Sequence, residues 1–454
     1  MTVANQPVGI VGGGPAGLAT ALALRAHGLE VCVIERGDWS AARAGEHLAA
    51  SAQPTLARLG LQSLYDRALP CRGIDATWGS AKPQFQELEL FTPFGGGRIV
   101  ERPCFDQAML AHARAQGISC LERTRVESAT YTSFGEWRVT LRSGSAQTFS
   151  CMVDATGRAA GFARTQGAGI VVYDRLVGVS ARVQSAASHH DNINKLHIWS
   201  ARDGWWYVAS LPGGERIATW MTDVEQVGQL AQRDPWQQHC ARHFEAVAGL
   251  PPELASATWG RPRSFPAHSQ RLRRPYGAGW IAVGDAAHAF DPLSSAGLAK
   301  ALRGACDAAD AIAHSLAGDS EAFARYEEKL QHDWQRYLDA RCHYYWLEQR
   351  FPDASFWRER QHEPALRQAI QLDPQCRLHR SPGAGAAAAA EVLARRIPEV
   401  DGAALFERLI DGELAHDVVR DLTVRQQLDD HVAIVALQLL LHHRVLLSAR
   451  EGSR

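Results

Sequence analysis

Charge of one sign is the first thing missing from this sequence. Its 454 residues carry 48 Lys and Arg against 49 Asp and Glu, a formal charge of −1, so no global field gathers nucleic acid or an anionic membrane. A long apolar run is missing too. The most apolar late segment, Val432 to Leu447, is interrupted by Gln438, His442, His443 and Arg444, which predicts a buried or amphipathic helix and no membrane span. The N-terminus lacks a basic stretch followed by an apolar core and a small-residue cleavage site, so the expected location is cytoplasmic. The 9 Cys have no paired metal-type spacing and read as free or buried thiols of a reducing compartment, with no metal site. No repeat of solenoid length is present. Composition, at 46% hydrophobic and 21% charged, excludes disorder and a disulfide scaffold. Only 4 Met accompany 13 Trp, an aromatic excess in want of a use.

What is there begins with a βαβ unit. Val8-Gly9-Ile10-Val11 is a short apolar strand, Ala16 to His27 an Ala/Leu-rich helix ended by Gly28, and Val31-Cys32-Val33-Ile34 a second strand closing in Glu35 and Arg36. Between strand and helix, Gly12-Gly13-Gly14-Pro15-Ala16-Gly17 fits G-x-G-x-x-G. Gly12 permits the tight turn, Gly14 lets a pyrophosphate approach the backbone, and Gly17 lets helix and strand pack closely. The pyrophosphate then meets free N–H groups at the helix N-terminus. Glu35, about 20 residues on, can accept hydrogen bonds from both ribose hydroxyls. A dinucleotide site is therefore expected, with Gly12, Gly14, Pro15, Ala16, Gly17, Glu35 and Arg36 around it.

Further along, Arg102 to Gln116 has helical spacing, Val126 to Thr148 reads as strands, and residues 170 to 223 are rich in β-branched and aromatic types, as an antiparallel sheet requires. Trp280-Ile281-Ala282-Val283 is another apolar strand, followed by an Ala-rich helix from about Ser295 to Ala317. Gly383-Ala384-Gly385 and five alanines look like a linker running into a helix.

Gly284-Asp285-Ala286-Ala287-His288, with Asp291-Pro292 and Gly297-Leu298, resembles the second FAD motif of a flavoprotein group that includes aromatic hydroxylases, geranylgeranyl reductases and flavin-dependent halogenases. Val153-Asp154-Ala155-Thr156-Gly157-Arg158 resembles the group's middle motif, and Arg102, in Arg102-x-x-Phe105-Asp106, its FAD-contacting arginine. The resemblance implies FAD, with Asp285 on the ribityl hydroxyls. Pro292, Gly297 and Leu298 would lie at the flavin's pyrimidine end, where a helix N-terminus stabilises the negative charge gained on reduction. The implied fold is α/β, a Rossmann-type FAD-binding domain of the glutathione-reductase and p-hydroxybenzoate-hydroxylase kind. The segments 1–72, 96–165 and 265–320 would build it. An inserted antiparallel β-sheet substrate domain would take 73–95 and 166–264, and a helical C-terminal region 321–454, with a separate module from about 383.

Within the group, Gly45-Glu46-His47, Cys71-Arg72-Gly73-Ile74 with Trp78, and Gly204-Trp205-Trp206-Tyr207 resemble the halogenase-like branch. Halogenases carry a lysine just before a Gly-Ile pair, and here Cys71 stands at that position. They also carry W-x-W-x-I-P, of which Trp205-Trp206-Tyr207-Val208-Ala209-Ser210 keeps only the first Trp. Both departures argue against halogenation. The remaining chemistry is monooxygenation of an electron-rich, indole-like ring through a flavin C4a-hydroperoxide. Glu46 and His47 are then candidate acid–base residues, and Trp205, Trp206 and Tyr207 candidate pocket walls. The architecture further resembles the enzymes that hydroxylate a protein-bound Trp during cysteine tryptophylquinone biogenesis. A Trp-containing peptide or protein is on that ground a candidate partner, and Arg261, Arg263, Arg271, Arg273 and Arg274 a candidate docking cluster. No separate NAD(P)H motif is visible, so NAD(P)H or a partner flavin reductase is the expected electron source. An alkene reductase of the geranylgeranyl type and a halogenase with atypical motifs are the alternatives.

Overall fold

Val8–Val11, apolar and bounded by polar residues on one side and glycines on the other, is a central strand of a six-stranded sheet in the computed structural model. Its neighbours are Val31–Ile34 on one side and Cys151–Asp154 on the other, both parallel to it. Ser119–Leu121 and Trp280–Ala282 extend the sheet in parallel, and Tyr276–Gly277 closes one edge antiparallel. Strands buried on both faces need continuous apolar runs, and Val8, Ile10, Val33 and Val153 are fully buried. The helices Pro15–Ala26, Arg102–Ala115 and Gly297–Leu316 contribute Leu18, Leu22, Met109, Leu110, Leu302 and Ile312 to the same core. The structure describes residues 6–40, 43–82, 84–87, 96–184, 195–233, 257–361, 376–394, 400–425 and 445–449, with a few single positions between them.

Val126–Tyr131, Trp137–Leu141 and Ala146–Phe149 form the expected antiparallel meander. A second large sheet has eight strands. Its run is Thr258–Trp259, Leu176–Gln184, Arg216–Asp223, Gly204–Ser210, Lys195–Ala201, Gly73–Thr77 and Gln84–Glu87, with Arg263–Pro266 also paired to Leu176–Gln184. All pairs are antiparallel except Lys195–Trp199 with Gly73–Thr77. The hairpin Gly73–Thr77 and Gln84–Glu87 is thus stitched into a sheet whose other strands come from beyond residue 170. Register follows the alternation of a strand: Trp199 lies opposite Trp206, and Ile198 opposite Tyr207.

The chain divides into two compact units, Met1–Trp357 and Arg358–Arg454. The long helix Ala322–Leu347 belongs to the first. The second has the helices Ala386–Ala394, Gly402–Arg408 and Ala415–Arg425, and it adds three short antiparallel strands, Arg377–Arg380, Glu413–Leu414 and Leu446–Ala449. Its core includes Leu378, Leu393, Leu405, Leu437 and Leu440. Of the late apolar segment, Ala433, Leu437 and Leu440 are buried, while Gln438, His442, His443 and Arg444 lie outside the described residues. Among the described residues no helix is long and apolar enough to cross a membrane.

Candidate cofactor and substrate site

The glycine turn separates two jobs. Gly12 has φ +108°, and a Cβ there would lie 2.3 Å from the Ala155 carbonyl oxygen; a Cβ on Gly17 would lie 2.0 Å from the Gly12 oxygen. These two positions serve the turn itself and the contact between helix and sheet. Gly14 differs, because a Cβ there would meet only the end of Arg43, at 3.2 Å. Its backbone is therefore open at the N-terminus of the helix Pro15–Ala26, where Pro15 is the first helical residue and Ala16 touches the Gly284 turn.

Glu35 is buried and accepts hydrogen bonds from the Gly13 N–H at 2.7 Å and the Gly37 N–H at 2.8 Å, which pins the carboxylate beside the turn. Arg36 is exposed. Arg43, which the motif reading missed, puts its guanidinium 3.6 Å from Asp106 and 4.0 Å from Glu35, directly over Gly14. Arg102 is buried, donates to both Asp106 oxygens at 3.1 and 3.0 Å, and donates to the Ala44 carbonyl at 2.6 Å. It thereby ties the Ala44-Gly45-Glu46 loop to the helix Arg102–Ala115.

The second motif closes from the other side. Asp285, half-buried at the end of strand Trp280–Ala282, accepts from Lys300 Nζ at 2.9 Å and lies 3.7 Å from Arg158 Nε. Burial alone would push its carboxyl up, but these two cations hold it below the usual carboxylate range. Pro292 opens a short turn that Asp291 caps by accepting from the Leu293 N–H at 2.9 Å. Gly297 and Leu298 begin the following helix. Asp154 of the middle motif is fully buried and accepts from the N–H groups of Thr156 and Ala163, a purely internal role.

Glu46 and His47 sit where the two halves meet. Both are buried. The Tyr207 hydroxyl donates to Glu46 Oε2 at 3.2 Å. Burial pushes the Glu46 carboxyl up, against the Arg102 cation and the Tyr207 hydrogen bond, and pushes the Tyr207 phenol well above its ordinary range. His47 pairs with Ile99 across a small sheet, and burial pushes its imidazole down to about 4. The Ser295 backbone lies beside the ring without meeting hydrogen-bond geometry, and neither ring nitrogen has a partner among the described residues. Buried ring nitrogens of this kind are satisfied by a neighbouring backbone group such as that of Ser295, by water or by a ligand. His288, which follows Asp285 in the second motif, has its Nε2 in the same condition.

Trp205 and Tyr207 share one face of the eight-stranded sheet. Trp205 donates to the Tyr345 hydroxyl at 3.1 Å, and that hydroxyl donates to Asp291 Oδ2 at 2.7 Å. Trp78, Tyr345, Phe356 and Trp357 complete an aromatic cluster, and Leu293 from the capped turn packs against it, so the cofactor motif and the sheet meet at these residues. Trp206 is a correction to the sequence expectation. Alternation along the strand points it to the opposite face, where it packs fully buried against Trp220, Trp236 and Trp259 with ring centroids 6.0–6.2 Å apart. It is core on its face of the sheet, as the equally buried Trp205 is on the other. The basic run is likewise not one surface: Arg271 is buried and donates to the Tyr173 hydroxyl at 3.1 Å, while Arg261 and Arg263 are exposed.

Besides Arg43, the motif reading passed over Lys300 and Tyr345. Lys300 had a visible signal: a cation in the first turn of an Ala-rich helix opposes the helix dipole and needs a reason. Tyr345 had none, lying more than fifty residues beyond the motif it touches.

The residues present fit an FAD: an open Gly14 with a cation over it, a carboxylate flanked by two cations in the second motif, and His47 ring nitrogens without a hydrogen-bond partner among the described residues. Comparison with known proteins agrees. The FAD binding domain family (FAD_binding_3) matches residues 5–340. LodB of Marinomonas mediterranea, provisionally described as an FAD-dependent oxidoreductase, is 31% identical over 381 residues, which span 79% of this chain and 98% of LodB. Among solved structures, the flavin-dependent halogenase CmlS superposes with a TM-score of 0.72 at 19% identity, covering 99% of this chain and 97% of its own. The peptidyl tryptophan dihydroxylase QhpG, essential for tryptophylquinone cofactor biogenesis, superposes with a TM-score of 0.63 at 25% identity, covering 83% and 84%.

Proposed function

The chain belongs to the FAD binding domain family and is an FAD flavoprotein of the flavin-dependent oxidoreductase and halogenase kind, and from that premise we propose that it is a monooxygenase hydroxylating an electron-rich aromatic ring, with a tryptophan side chain carried on a peptide or protein as its substrate. Bound FAD supplies two-electron reduction and activation of O2. In the balanced reaction one oxygen atom replaces a ring hydrogen as hydroxyl, the other leaves as water, and NAD(P)H gives up a hydride, either directly or through a separate flavin reductase.

The observation that carries the reading is the Glu46–Tyr207 pair beside the cofactor motif, with no lysine on that face. Hydroxylation of an aromatic carbon ends with loss of a proton from that carbon, and Glu46 Oε2 is a buried carboxylate whose raised affinity for protons suits it to take one up. Tyr207 stays protonated and donates, which holds the carboxylate in place. Halogenation has the family's many halogenases in its favour, but needs a lysine, and the chain has four in all. Lys82 is exposed, Lys329 pairs with Asp307 at 2.8 Å, and Lys300 pairs with Asp285. Lys195 pairs with Asp75 on the sheet face that carries Trp206, away from Tyr207. Cys71, at the position of the halogenase lysine, is buried among Ile99, Leu196, Ala209 and Leu211, and burial pushes its thiol up to about 11.

A peptide-borne substrate draws support from the QhpG likeness and from the rim of the aromatic cluster. Half-buried Trp78 donates to the Tyr344 carbonyl at 2.6 Å, and Tyr344, Trp346 and Leu347 beside it are exposed. Such a patch is costly in water unless something binds there. The test is turnover with NAD(P)H, a flavin reductase and O2 on free indole, free tryptophan and tryptophan-containing peptides, read by mass spectrometry. Gain of one or two oxygen atoms on the peptide, drawn from isotopically heavy O2, is the expected result. Reduction of an alkene, or halide incorporation without oxygenation, overturns it.

A further inference from the structure

We propose that Lys300 is a positioning residue for the cofactor: it holds the Asp285 carboxylate in one orientation and one charge state for the ribityl hydroxyls. The inference rests on the assignment of Asp285 to the FAD and on nothing about the reaction that follows.

Lys300 is 3% exposed and lies in the first turn of the helix Gly297–Leu316. Both facts work against a cation, since burial strips its water and the helix N-terminus repels it. A lysine stands there only if its surroundings compensate, and they do. Its Nζ donates to Asp285 Oδ1 at 2.9 Å and to the His288 carbonyl, and it sits 4.5 Å over the Phe290 ring. All three contacts lie within the second cofactor motif, so this one side chain ties both ends of the Gly284–His288 turn to the helix that follows.

Asp285 needs such an anchor because it is a short side chain at a turn with no hydrogen bond from the backbone to its oxygens among the described contacts. The charged and titratable groups that face it are Lys300 from the helix, Arg158 from the middle motif and His288 from its own segment. Facing Lys300 are Asp285, Arg158, His288 and, from the helix Ala322–Leu347, Asp333, while Asp307 of its own helix and Lys329 line the same hollow. Of these, Arg158 is 3.7 Å from Asp285 and is itself engaged by the Phe290 carbonyl at 2.8 Å and the His268 carbonyl. Lys300 is thus the close partner and Arg158 the distant one. Without the Lys300 ammonium, burial dominates at Asp285 and its carboxyl binds a proton more readily. A protonated Asp285 loses acceptor capacity, so cofactor affinity falls as pH drops through the new, higher pKa.

The experiment measures FAD dissociation from the full-length holoprotein by recovery of flavin fluorescence on dilution, across acid to neutral pH, for the parent, Lys300→Met, Lys300→Gln, Asp285→Asn and the double variant D285N/K300M. Loss of a charge-assisted hydrogen bond predicts FAD weakened about ten- to a hundredfold in both Lys300 variants, with weakening that steepens at acid pH where the parent is flat. In the Asp285→Asn background, which cannot titrate, Lys300→Met adds little. The near-isosteric Gln variant guards against a packing defect, because a merely structural lysine alters stability without altering the pH profile. A Lys300→Met or Lys300→Gln profile parallel to the parent's, or a Lys300→Met effect undiminished in the double variant, overturns the inference. If Asp285→Asn alone leaves FAD binding unchanged, the assignment of Asp285 to the cofactor falls, and the inference with it; the hydroxylase reading is separately decided by the oxygen-incorporation assay.

Discussion

Tyr207→Phe probes the proton-handling pair with the smallest change available. It deletes one oxygen from the sheet face shared with Trp205 and leaves the ring in place. The lost bond is to a buried carboxylate, and hydrogen bonds to charged groups contribute about 1.5–3 kcal/mol. The 3.2 Å separation is long for an O–H to carboxylate bond, and Tyr207 is only partly buried, which places the effect near the lower end, roughly tenfold in turnover. The pH dependence has a definite sign. The Tyr207 bond lowers the proton affinity of Glu46, against the larger opposing effect of burial, so its loss raises the Glu46 pKa further. The acid limb of the activity profile therefore moves to higher pH, while the alkaline side is little changed. Folding shows the same linkage. A carboxyl raised by burial contributes stability below its unfolded pKa that is lost as pH rises through the folded value, so Glu46→Gln makes the protein more stable near neutrality while slowing turnover. The assay is the rate of oxygenated product against pH for parent and variant, with the fraction of NAD(P)H electrons recovered in product measured alongside. An unshifted acid limb refutes the role given to the pair, even if the rate falls.

Three further outcomes follow from packing. Gly14→Ala folds and loses FAD affinity because only the mobile end of Arg43 faces the new methyl, whereas Gly17→Ala fails to reach the native fold, its Cβ being 2.0 Å from a backbone oxygen; circular dichroism and flavin retention separate the two. Trp206→Ala costs about 3–5 kcal/mol of stability in a denaturant titration but leaves the product identity of the folded fraction unchanged, while Trp205→Ala changes which aromatic substrates are accepted. Cys71→Lys, which restores the halogenase residue type, places an unpaired cation in an apolar cluster at a cost of several kcal/mol, and it lowers the melting temperature without producing halogenated product in the presence of bromide.

How far the chain itself could be read depended on how local the constraint was. The glycine turn, the strands around it and Glu35 obey rules that act over one βαβ unit: backbone clearance at Gly12 and Gly17, periodicity in Val8–Val11, a carboxylate at the end of Val31–Ile34. FAD was legible because its second motif is itself a short contiguous segment, Gly284 to Leu298. Candidate site residues were legible as types and not as neighbours. Glu46 and His47 stood out by resemblance, but the meeting of Glu46 with Tyr207 spans the sequence distance between two sheets, and no spacing rule carries it.

The chain by itself determined the cofactor, the order of the motifs and the absence of a lysine before Gly73-Ile74. Tertiary structure alone decided which face each aromatic residue occupies and which charges share a site. Adjacent tryptophans of one strand are equivalent in composition, yet the pleat sends Trp205 into the cluster with Tyr345 and Leu293 and Trp206 into the tryptophan core of the opposite face. Lys300 shows the same division: its place in a helix is visible in sequence, but its function resides in the 2.9 Å contact with Asp285, because the free energy of a buried charge depends on what surrounds it.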